Sequence, residues 1–202
     1  MTEYDAAAFD AFESAGWQMA AALYNQHWGA HTSRVVDPLL DAAGVQAGLR
    51  VLDAGSGPGD AAGRAAERGA EATGVDVAAA MVEIAGRRYP AARFVQASAT
   101  ELPFADESFD AAVGKVDLLA TAGFEDVHTE TISLDLPLRS ADELVAALVE
   151  GTVRTAALLR AADDRQSGRV RESLETRIAP WRRGDSFVVP ASVKIASGRK
   201  PS

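Results

Sequence analysis

Two carboxylates and three glycines in one short stretch are the residues of this chain whose types and spacing could do chemistry. An apolar run ends in Asp53, and Gly55, Gly57 and Gly59 follow at every second position; a second apolar run ends in Asp76. Glycine lacks a Cβ, so this backbone can turn sharply and approach a ligand closely. Because a carboxylate at a strand end can accept hydrogen bonds from sugar hydroxyls, the spacing predicts a nucleoside-binding turn.

The details of the turn indicate which kind of nucleoside it would bind. A dinucleotide site has the spacing Gly-x-Gly-x-x-Gly and places a pyrophosphate on the helix N-terminus. Here the third glycine comes one residue early, and Asp60 stands where that pattern has glycine. We also expect Asp53 to lie at the mouth of the turn, where its charge would repel a pyrophosphate. The pattern favours a ligand with an adenosine, a positive charge and no phosphate.

Residues 53–59 resemble the first motif of the class I S-adenosylmethionine-dependent methyltransferases, which is an acidic residue followed by Gly-x-Gly-x-Gly. Residues 96–104 and 109–113 are similar to that family's third-strand exit and fourth strand, in its small-molecule, ubiquinone/menaquinone-methyltransferase-like branch. The resemblance implies that the turn holds the methionine moiety of S-adenosylmethionine and that Asp76 holds the ribose. The cofactor-binding residues that it implies are Asp53, Gly55, Ser56, Gly57, Gly59, Asp76, Val77, Met81, Ala97, Ser98 and Ala99.

Several of these assignments have structural alternatives. Met81 either packs on the adenine, as in the family, or belongs to the core. Ser98 stands where the family usually has an aspartate for the adenine amino group, and a neutral hydroxyl predicts weaker adenine selection. Tyr24 and Trp28 either line the acceptor pocket or pack an N-terminal helix on the sheet edge. His31 is the candidate for proton abstraction, against a structural role, and no catalytic base is otherwise evident.

Composition restricts the partners. The chain has 202 residues with 29 acidic and 20 basic side chains, a net charge of −9 and a pI of about 4.8. A nucleic-acid partner requires a basic face, so we expect none. The absence of cysteine excludes thiolate metal sites and disulfides, and we expect no metal. With neither a membrane-length apolar run nor a basic leader, the sequence predicts a cytoplasmic protein, and its Ala-rich and Arg-rich composition suggests a bacterial source.

The apolar runs are short and separated by helical segments, which is typical of a parallel sheet. We therefore predict a Rossmann-like, doubly wound α/β fold in a single domain, residues 1–202. Its parts are an N-terminal helical cap (1–44), a cofactor-binding core (45–114) and C-terminal helices with an antiparallel strand pair (115–202). The core strands are predicted at 49–53, 71–76, 93–96 and 109–113, with helices at 35–43, 60–68 and 78–88.

After residue 114 the pattern departs from the family. Residues 115–127 resemble the last core helix and its exit, so we expect at least one strand–helix unit, roughly 30 residues, to be absent here. Either the protein is shortened, or further residues of the protein lie between the two segments joined in this sequence. Downstream we predict a strand over 128–138 and a helix from a capping box at Ser140 through Leu159. A charged helix over 163–178 and a last strand over 187–196 follow.

These features predict an S-adenosylmethionine-dependent methyltransferase acting on a small-molecule acceptor. One alternative is a shortened, catalytically impaired protein of the same fold that binds cofactor or dimerises through its open sheet edge. A nicotinamide-dependent oxidoreductase is a further alternative, which the Asp53 and Asp60 arguments disfavour.

Overall fold

A computed structural model describes residues 6–99, 101–114 and 125–199. The chain divides into two compact units. Residues 1–31 and 133–192 form the first, and residues 32–132 and 193–202 form the second, which contains the glycine turn. The interpretation of residues 115–124 as a core helix lies outside the described residues.

The second unit is built of alternating strands and helices. A 3-10 turn at Ser33–Val35 leads into the short helix α2, Val36–Ala42. Then follow β1 (Arg50–Ala54), α3 (Asp60–Glu67), β2 (Glu71–Asp76), α4 (Ala79–Arg88), β3 (Arg93–Gln96) and β4 (Ala111–Gly114). These bounds confirm the predicted core elements to within about two residues, the usual uncertainty of element ends.

The strand order places the turn at the point where ligands bind in such sheets. The sheet runs β3-β2-β1-β4-β7-β5, where β5 is Glu125–Leu138 and β7 is Ser186–Arg199. The first four strands are parallel. Since β2 and β4 lie on opposite sides of β1, the order reverses at β1, and the crevice beyond the carboxyl end of β1 is the expected ligand site.

Strand β4 pairs on its other side with antiparallel β7, Val113 opposite Ser197. The predicted fold class, a mostly parallel α/β sheet with an antiparallel C-terminal part, is confirmed. Gly114 permits a close approach at the end of β4, because a Cβ there would lie 2.4 Å from the Ala54 carbonyl oxygen.

The core of this unit covers both faces of β1. Val51 belongs to a cluster with residues of α2 and α3, whereas Leu52 belongs to a cluster with Val75 and Ala112. Successive side chains of a strand point to opposite faces, so a strand that is apolar at consecutive positions is buried on both sides. This burial on both faces fixes the position of β1 in the sheet, and with it the position of the glycine turn that follows.

The first unit contains α1 (Ala6–Thr32), α5 (Ala141–Gly151), α6 (Arg154–Ala161) and α7 (Asp164–Ile178). A 3-10 turn, Ala179–Trp181, and the short strand β6, Arg182–Arg183, which pairs with β7, complete it. Leu138, Ala141, Ile178 and Phe187 form its buried cluster. Asp163 caps α7 through a full capping box with Gln166, as the predicted helix start requires.

The predicted single helix from Ser140 through Leu159 is wrong. Ser140 does cap the helix, its Oγ accepting from Glu143 N at 3.1 Å, but α5 ends at Gly151 and α6 begins at Arg154. Thr152 is extended, and its hydroxyl donates to the Leu148 carbonyl and accepts from Ala156 N. A threonine side chain that satisfies both helix ends competes with continuation of the helix.

Three strands have bounds that differ from the sequence prediction. The last strand, predicted over 187–196, runs from Ser186 to Arg199. The strand predicted over 128–138 begins at Glu125 instead. The strand predicted over 109–113 is shifted toward the C-terminus, because Phe109 packs edge-on against Phe104 rather than pairing in the sheet.

Candidate cofactor site

Three glycines shape the turn that follows β1. Gly55, Gly57 and Gly59 have φ angles of 78°, 51° and 88°, which only glycine adopts at little cost. A Cβ at Gly59 would lie 2.7 Å from Ala85 Cβ and 2.8 Å from the Phe94 ring. A Cβ at Gly57 would meet nothing within 4 Å. Gly59 is therefore required by packing, whereas the space beside Gly57 is open to a ligand.

The backbone N–H groups of the turn are already bonded within the protein. Gly55 N and Ser56 N both donate to the Val75 carbonyl at 2.9 Å, and Gly59 N donates to the Ser56 carbonyl at 3.0 Å. Gly57 N donates to Asp76 Oδ2 at 2.9 Å, and Pro58 has no N–H. A pyrophosphate site needs several such N–H groups directed at the ligand. These four N–H groups are therefore occupied within the protein, and the exclusion of a diphosphate stays a prediction from the sequence.

The structure gives Asp53 a different environment from the one that the sequence predicts. The residue is 5% exposed, and its Oδ2 accepts from Ala62 N at 3.0 Å, in the first turn of α3. Burial raises the pKa of the Asp53 carboxyl to about 7; the Ala62 hydrogen bond lowers it, and the Asp76 and Asp60 carboxylates raise it. A carboxyl with such a pKa is only partly ionised at neutral pH, so its repulsion of a pyrophosphate would be weaker than the sequence predicts. Its observed contact joins β1 to α3, and its cofactor role stays a prediction.

Asp76 is held in a fixed orientation at the end of β2. Its Oδ2 accepts from Gly57 N, and its Oδ1 accepts from Ala78 N at 2.9 Å. Each carboxylate oxygen has two acceptor sites, so these bonds leave the geometry compatible with ribose hydroxyls. The carboxylate also places a protein anion on the turn. The ribose role stays a prediction.

Ser56 supplies a buried hydroxyl beside the open space. The residue is 8% exposed, and among the described residues its Oγ has no hydrogen-bond partner. Leaving a buried polar group unsatisfied costs about 1–3 kcal/mol. A role for this hydroxyl toward a ligand stays a prediction.

The remaining predicted cofactor residues line the ends of β2 and β3. Ala97 N donates to the Asp76 carbonyl at 3.1 Å, and the Ser98 carbonyl accepts from Glu101 N. Val77 and Ala99 are half-buried. Met81 is 2% exposed, so its side chain belongs to the core between α4 and the sheet, and an adenine contact stays a prediction. The structure thus brings Ala97 beside Asp76, at the end of the parallel pairing of β2 with β3.

Sequence reasoning missed two further groups of polar residues. Gln96 Nε2 donates to the Val77 carbonyl at 3.2 Å, at the exit of β3. Asp60 bonds to Arg88 and Tyr89, two residues at the end of α4. The sequence analysis noted Asp60 as a departure from the dinucleotide pattern. It could not predict the contacts of Asp60 with Arg88 and Tyr89, because sequence spacing does not indicate contacts with another helix.

The predicted pocket residues Tyr24, Trp28 and His31 lie at the end of α1, in the other unit. Tyr24 packs edge-on against Trp17, with ring centroids 5.5 Å apart, and Trp28 faces Gly151. His27, which the sequence did not single out, bonds to Glu150 at 2.7 Å. These contacts are structural, and a role for Tyr24, Trp28 or His31 toward an acceptor stays a prediction.

The part of the chain that the structure describes offers neither a metal cluster nor a membrane helix. There, no group of three or more His, Cys, Asp or Glu side chains is arranged to hold a metal ion. The helices in the same ranges include none that is both long and apolar enough to span a membrane.

Comparison with known proteins agrees with the geometry of the turn. Residues 51–132 match a family model described as a methyltransferase domain. A demethylmenaquinone methyltransferase of Renibacterium salmoninarum is 40% identical over 73 residues, 36% of this chain and 31% of that protein. A trans-aconitate 2-methyltransferase of Paracidovorax citrulli is 34% identical over 165 residues, 80% of this chain and 57% of that protein. The chain thus spans about a third to just over half of these relatives.

Solved structures show the same fold. A phosphoethanolamine N-methyltransferase of Haemonchus contortus in complex with S-adenosylmethionine has a TM-score of 0.53 and 15% identity, covering 100% of this chain and 61% of that one. The [4+2]-cyclase SpnF has a TM-score of 0.50 and 16% identity, covering 94% and 97%. The resemblance of residues 53–59 to S-adenosylmethionine-dependent methyltransferases is confirmed by the family and sequence matches.

Proposed function

We propose that this chain, whose residues 51–132 match a family model described as a methyltransferase domain, binds S-adenosylmethionine and transfers the methyl group to a small-molecule acceptor. The observation that carries the proposal is the Asp76 carboxylate on Gly57 N. It places a carboxylate on the turn, which favours a ligand without phosphate there, and the space beside Gly57 is open. Names of relatives, demethylmenaquinone and trans-aconitate 2-methyltransferases, support a small acceptor.

The residues around the turn have distinct roles in this proposal. Asp76 orients toward the ribose, with its carboxylate fixed by Gly57 N and Ala78 N. The hydroxyl of Ser56 receives the amino-acid end, and its burial strengthens that hydrogen bond. S-adenosylmethionine, when bound, supplies an electrophilic methyl group on a sulfonium. Since displacement at that carbon needs alignment more than proton transfer, the protein's task is to hold donor and acceptor in line.

A titration calorimetry experiment tests the cofactor assignment. We expect the protein to bind S-adenosylmethionine and S-adenosylhomocysteine but not NAD. Asp76→Ala should weaken binding by about 1–3 kcal/mol, because charge-assisted hydrogen bonds to the ribose are lost. Asp106→Ala, which removes an exposed carboxylate outside the site, is the matched control. Binding of NAD, or unchanged affinity in the Asp76 variant, would overturn the assignment.

A second candidate is a protein of this fold that binds the cofactor without methyl transfer. It is favoured by the antiparallel pairing of β4 with β7, which leaves four strands in the parallel part of the sheet. The cyclase SpnF, a neighbour in fold alone, is named for a reaction other than methylation. Transfer of a labelled methyl group to any acceptor in a panel of quinols and carboxylic acids would decide for the enzyme. A bacterial source fits the organisms of the relatives, and a cytoplasmic location stays a prediction from the sequence.

A further inference from the structure

A cluster of side chains from the end of α4 contacts the far side of the glycine turn. Arg88 Nη2 donates to Asp60 Oδ1 at 2.7 Å, and Arg88 Nη1 reaches Asp60 Oδ2 at 3.2 Å. The same Nη1 donates to the Pro58 carbonyl at 2.9 Å. Tyr89 OH also donates to Asp60 Oδ1, at 2.6 Å. Arg88 therefore contacts both Pro58 of the turn and Asp60, the first residue of α3.

Two side chains of this cluster, Asp60 and Tyr89, are half-buried, and Tyr89 packs against α3. The Asp60 side chain is 12% exposed. The Tyr89 ring lies close enough to α3 that a Cβ at Gly63 would come within 2.2 Å of its atoms. Burial and the Asp60 carboxylate raise the pKa of the Tyr89 hydroxyl to about 12. The hydroxyl thus stays protonated, and able to donate to Asp60, throughout the physiological pH range.

The turn is consequently held from two sides. Asp76 bonds to the N–H of Gly57, and Arg88 bonds to the carbonyl of the next residue, Pro58. The two flanking glycines have left-handed backbone angles and, without these bonds, would sample many others. Fixing the backbone of a residue costs conformational entropy. A turn fixed before the ligand arrives avoids that cost during binding.

We propose that Arg88 is a positioning residue for the amino-acid end of the cofactor, acting through the Pro58 carbonyl and Asp60. The inference rests on the proposed function, since it assigns the turn to the methionine moiety of S-adenosylmethionine. Asp60 is part of the same device. Asp60 stands at the position where dinucleotide sites have a glycine, and its carboxylate binds the Arg88 guanidinium. Arg88 then holds the backbone of the glycine turn so that the space beside Gly57 stays open.

The test compares two ligands that differ only in the part that meets the turn. S-adenosylhomocysteine has the amino-acid end, and 5′-methylthioadenosine lacks it but keeps the ribose and adenine. We expect Arg88→Met to weaken S-adenosylhomocysteine binding by roughly 10-fold to 100-fold, as the backbone ordering cost returns to the binding step. Binding of 5′-methylthioadenosine should change less than about twofold, because Asp76 is untouched.

Two further variants keep the test decisive. Arg87→Met removes the neighbouring arginine, which is paired with Glu83 on the exposed face of α4, and it should change neither affinity. Arg88→Lys retains one charged donor and should restore part of the loss for S-adenosylhomocysteine. Equal weakening of both ligands, or unfolding of both Arg88 variants, would assign Arg88 a general structural role and overturn the proposal. Unchanged S-adenosylhomocysteine affinity in Arg88→Met would also overturn it. If the wild-type protein bound neither ligand, the proposed function itself would fail.

Discussion

At the scale of single residues, Gly57 and Gly59 have different reasons to be glycine, and this difference is measurable. Alanine at Gly57 meets only the backbone cost of a left-handed conformation, about 1–2 kcal/mol. Its methyl group enters the open space, so we expect cofactor affinity to fall more than about tenfold. Alanine at Gly59 meets Ala85 and Phe94 as well, so we expect a larger loss of folding free energy, about 2–4 kcal/mol.

Urea unfolding and calorimetric titration of both glycine variants would check this pair. The informative quantity is the loss of cofactor-binding free energy divided by the loss of unfolding free energy. This ratio should be high for Gly57→Ala and low for Gly59→Ala. A Gly57→Ala protein that binds S-adenosylhomocysteine like the wild type would show that the open space is not used.

Asp53 should make the stability of the protein depend on pH. Burial raises the pKa of its carboxyl from 3.8 to about 7 in the folded protein. Between those values the native state keeps a proton that the unfolded chain releases, so wild-type stability falls as pH rises from about 4 to 7. The side-chain amide of an Asp53→Asn variant would stay neutral, and its oxygen can still accept from Ala62 N. The stability of Asp53→Asn relative to the wild type should therefore grow by roughly 2–4 kcal/mol from pH 4 to pH 8.

Chemical unfolding of both proteins across this pH range is the measurement. Asp106→Asn removes one negative charge from an exposed turn and serves as the charge control. A difference between Asp53→Asn and the wild type that is flat with pH would mean that Asp53 is ionised in the folded state.

At the scale of elements, the last residue of α5 packs closely against α1. A Cβ at Gly151 would lie 2.6 Å from Trp28 Nε1 and 2.8 Å from Trp28 Cδ1. Gly151→Ala should therefore destabilise the protein by about 1–3 kcal/mol, since the indole has to move. Gly168, inside α7, has open space at its Cβ position. Gly168→Ala should stabilise the protein by about 0.5–1 kcal/mol, because alanine has the better helix propensity.

Thermal unfolding of the two variants beside the wild type would test this contrast. The two substitutions are chemically identical, so their opposite signs would come from packing alone. A stabilised Gly151→Ala protein would show that Trp28 does not lie against α5 in solution.

At the scale of the whole molecule, charge governs the choice of partner. A net charge of −9 on 202 residues gives no electrostatic attraction to a phosphate backbone, and nonspecific nucleic-acid binding is almost entirely electrostatic. We expect labelled DNA and RNA of about 20 bases to show no anisotropy change up to about 10 μM protein at about 150 mM salt. Micromolar binding that weakens steeply with added salt would contradict this expectation and point to a nucleic-acid acceptor.

Sequence reasoning worked best where the cause of a structure is local. Glycines at alternate positions of residues 55–59 are sufficient to permit left-handed backbone angles there, and the turn lies where they predict it. The same holds for β3 over 93–96, whose bounds match, and for the start of α7 at its capping box. It was less successful where a side chain competes with the backbone, as Thr152 does between α5 and α6.

The amino-acid sequence by itself determined the alternating strands and helices, the position of the glycine turn and the acidic surface, because these follow from backbone preferences and composition. Only the tertiary structure decided that Asp53 faces Ala62 N, that Arg88 holds the Pro58 carbonyl and that Gly151 lies against Trp28. Each of these contacts joins residues from separate elements. These contacts depend on how the elements pack through their buried surfaces. The residues next to a side chain in the sequence do not indicate which residue of another element it will contact.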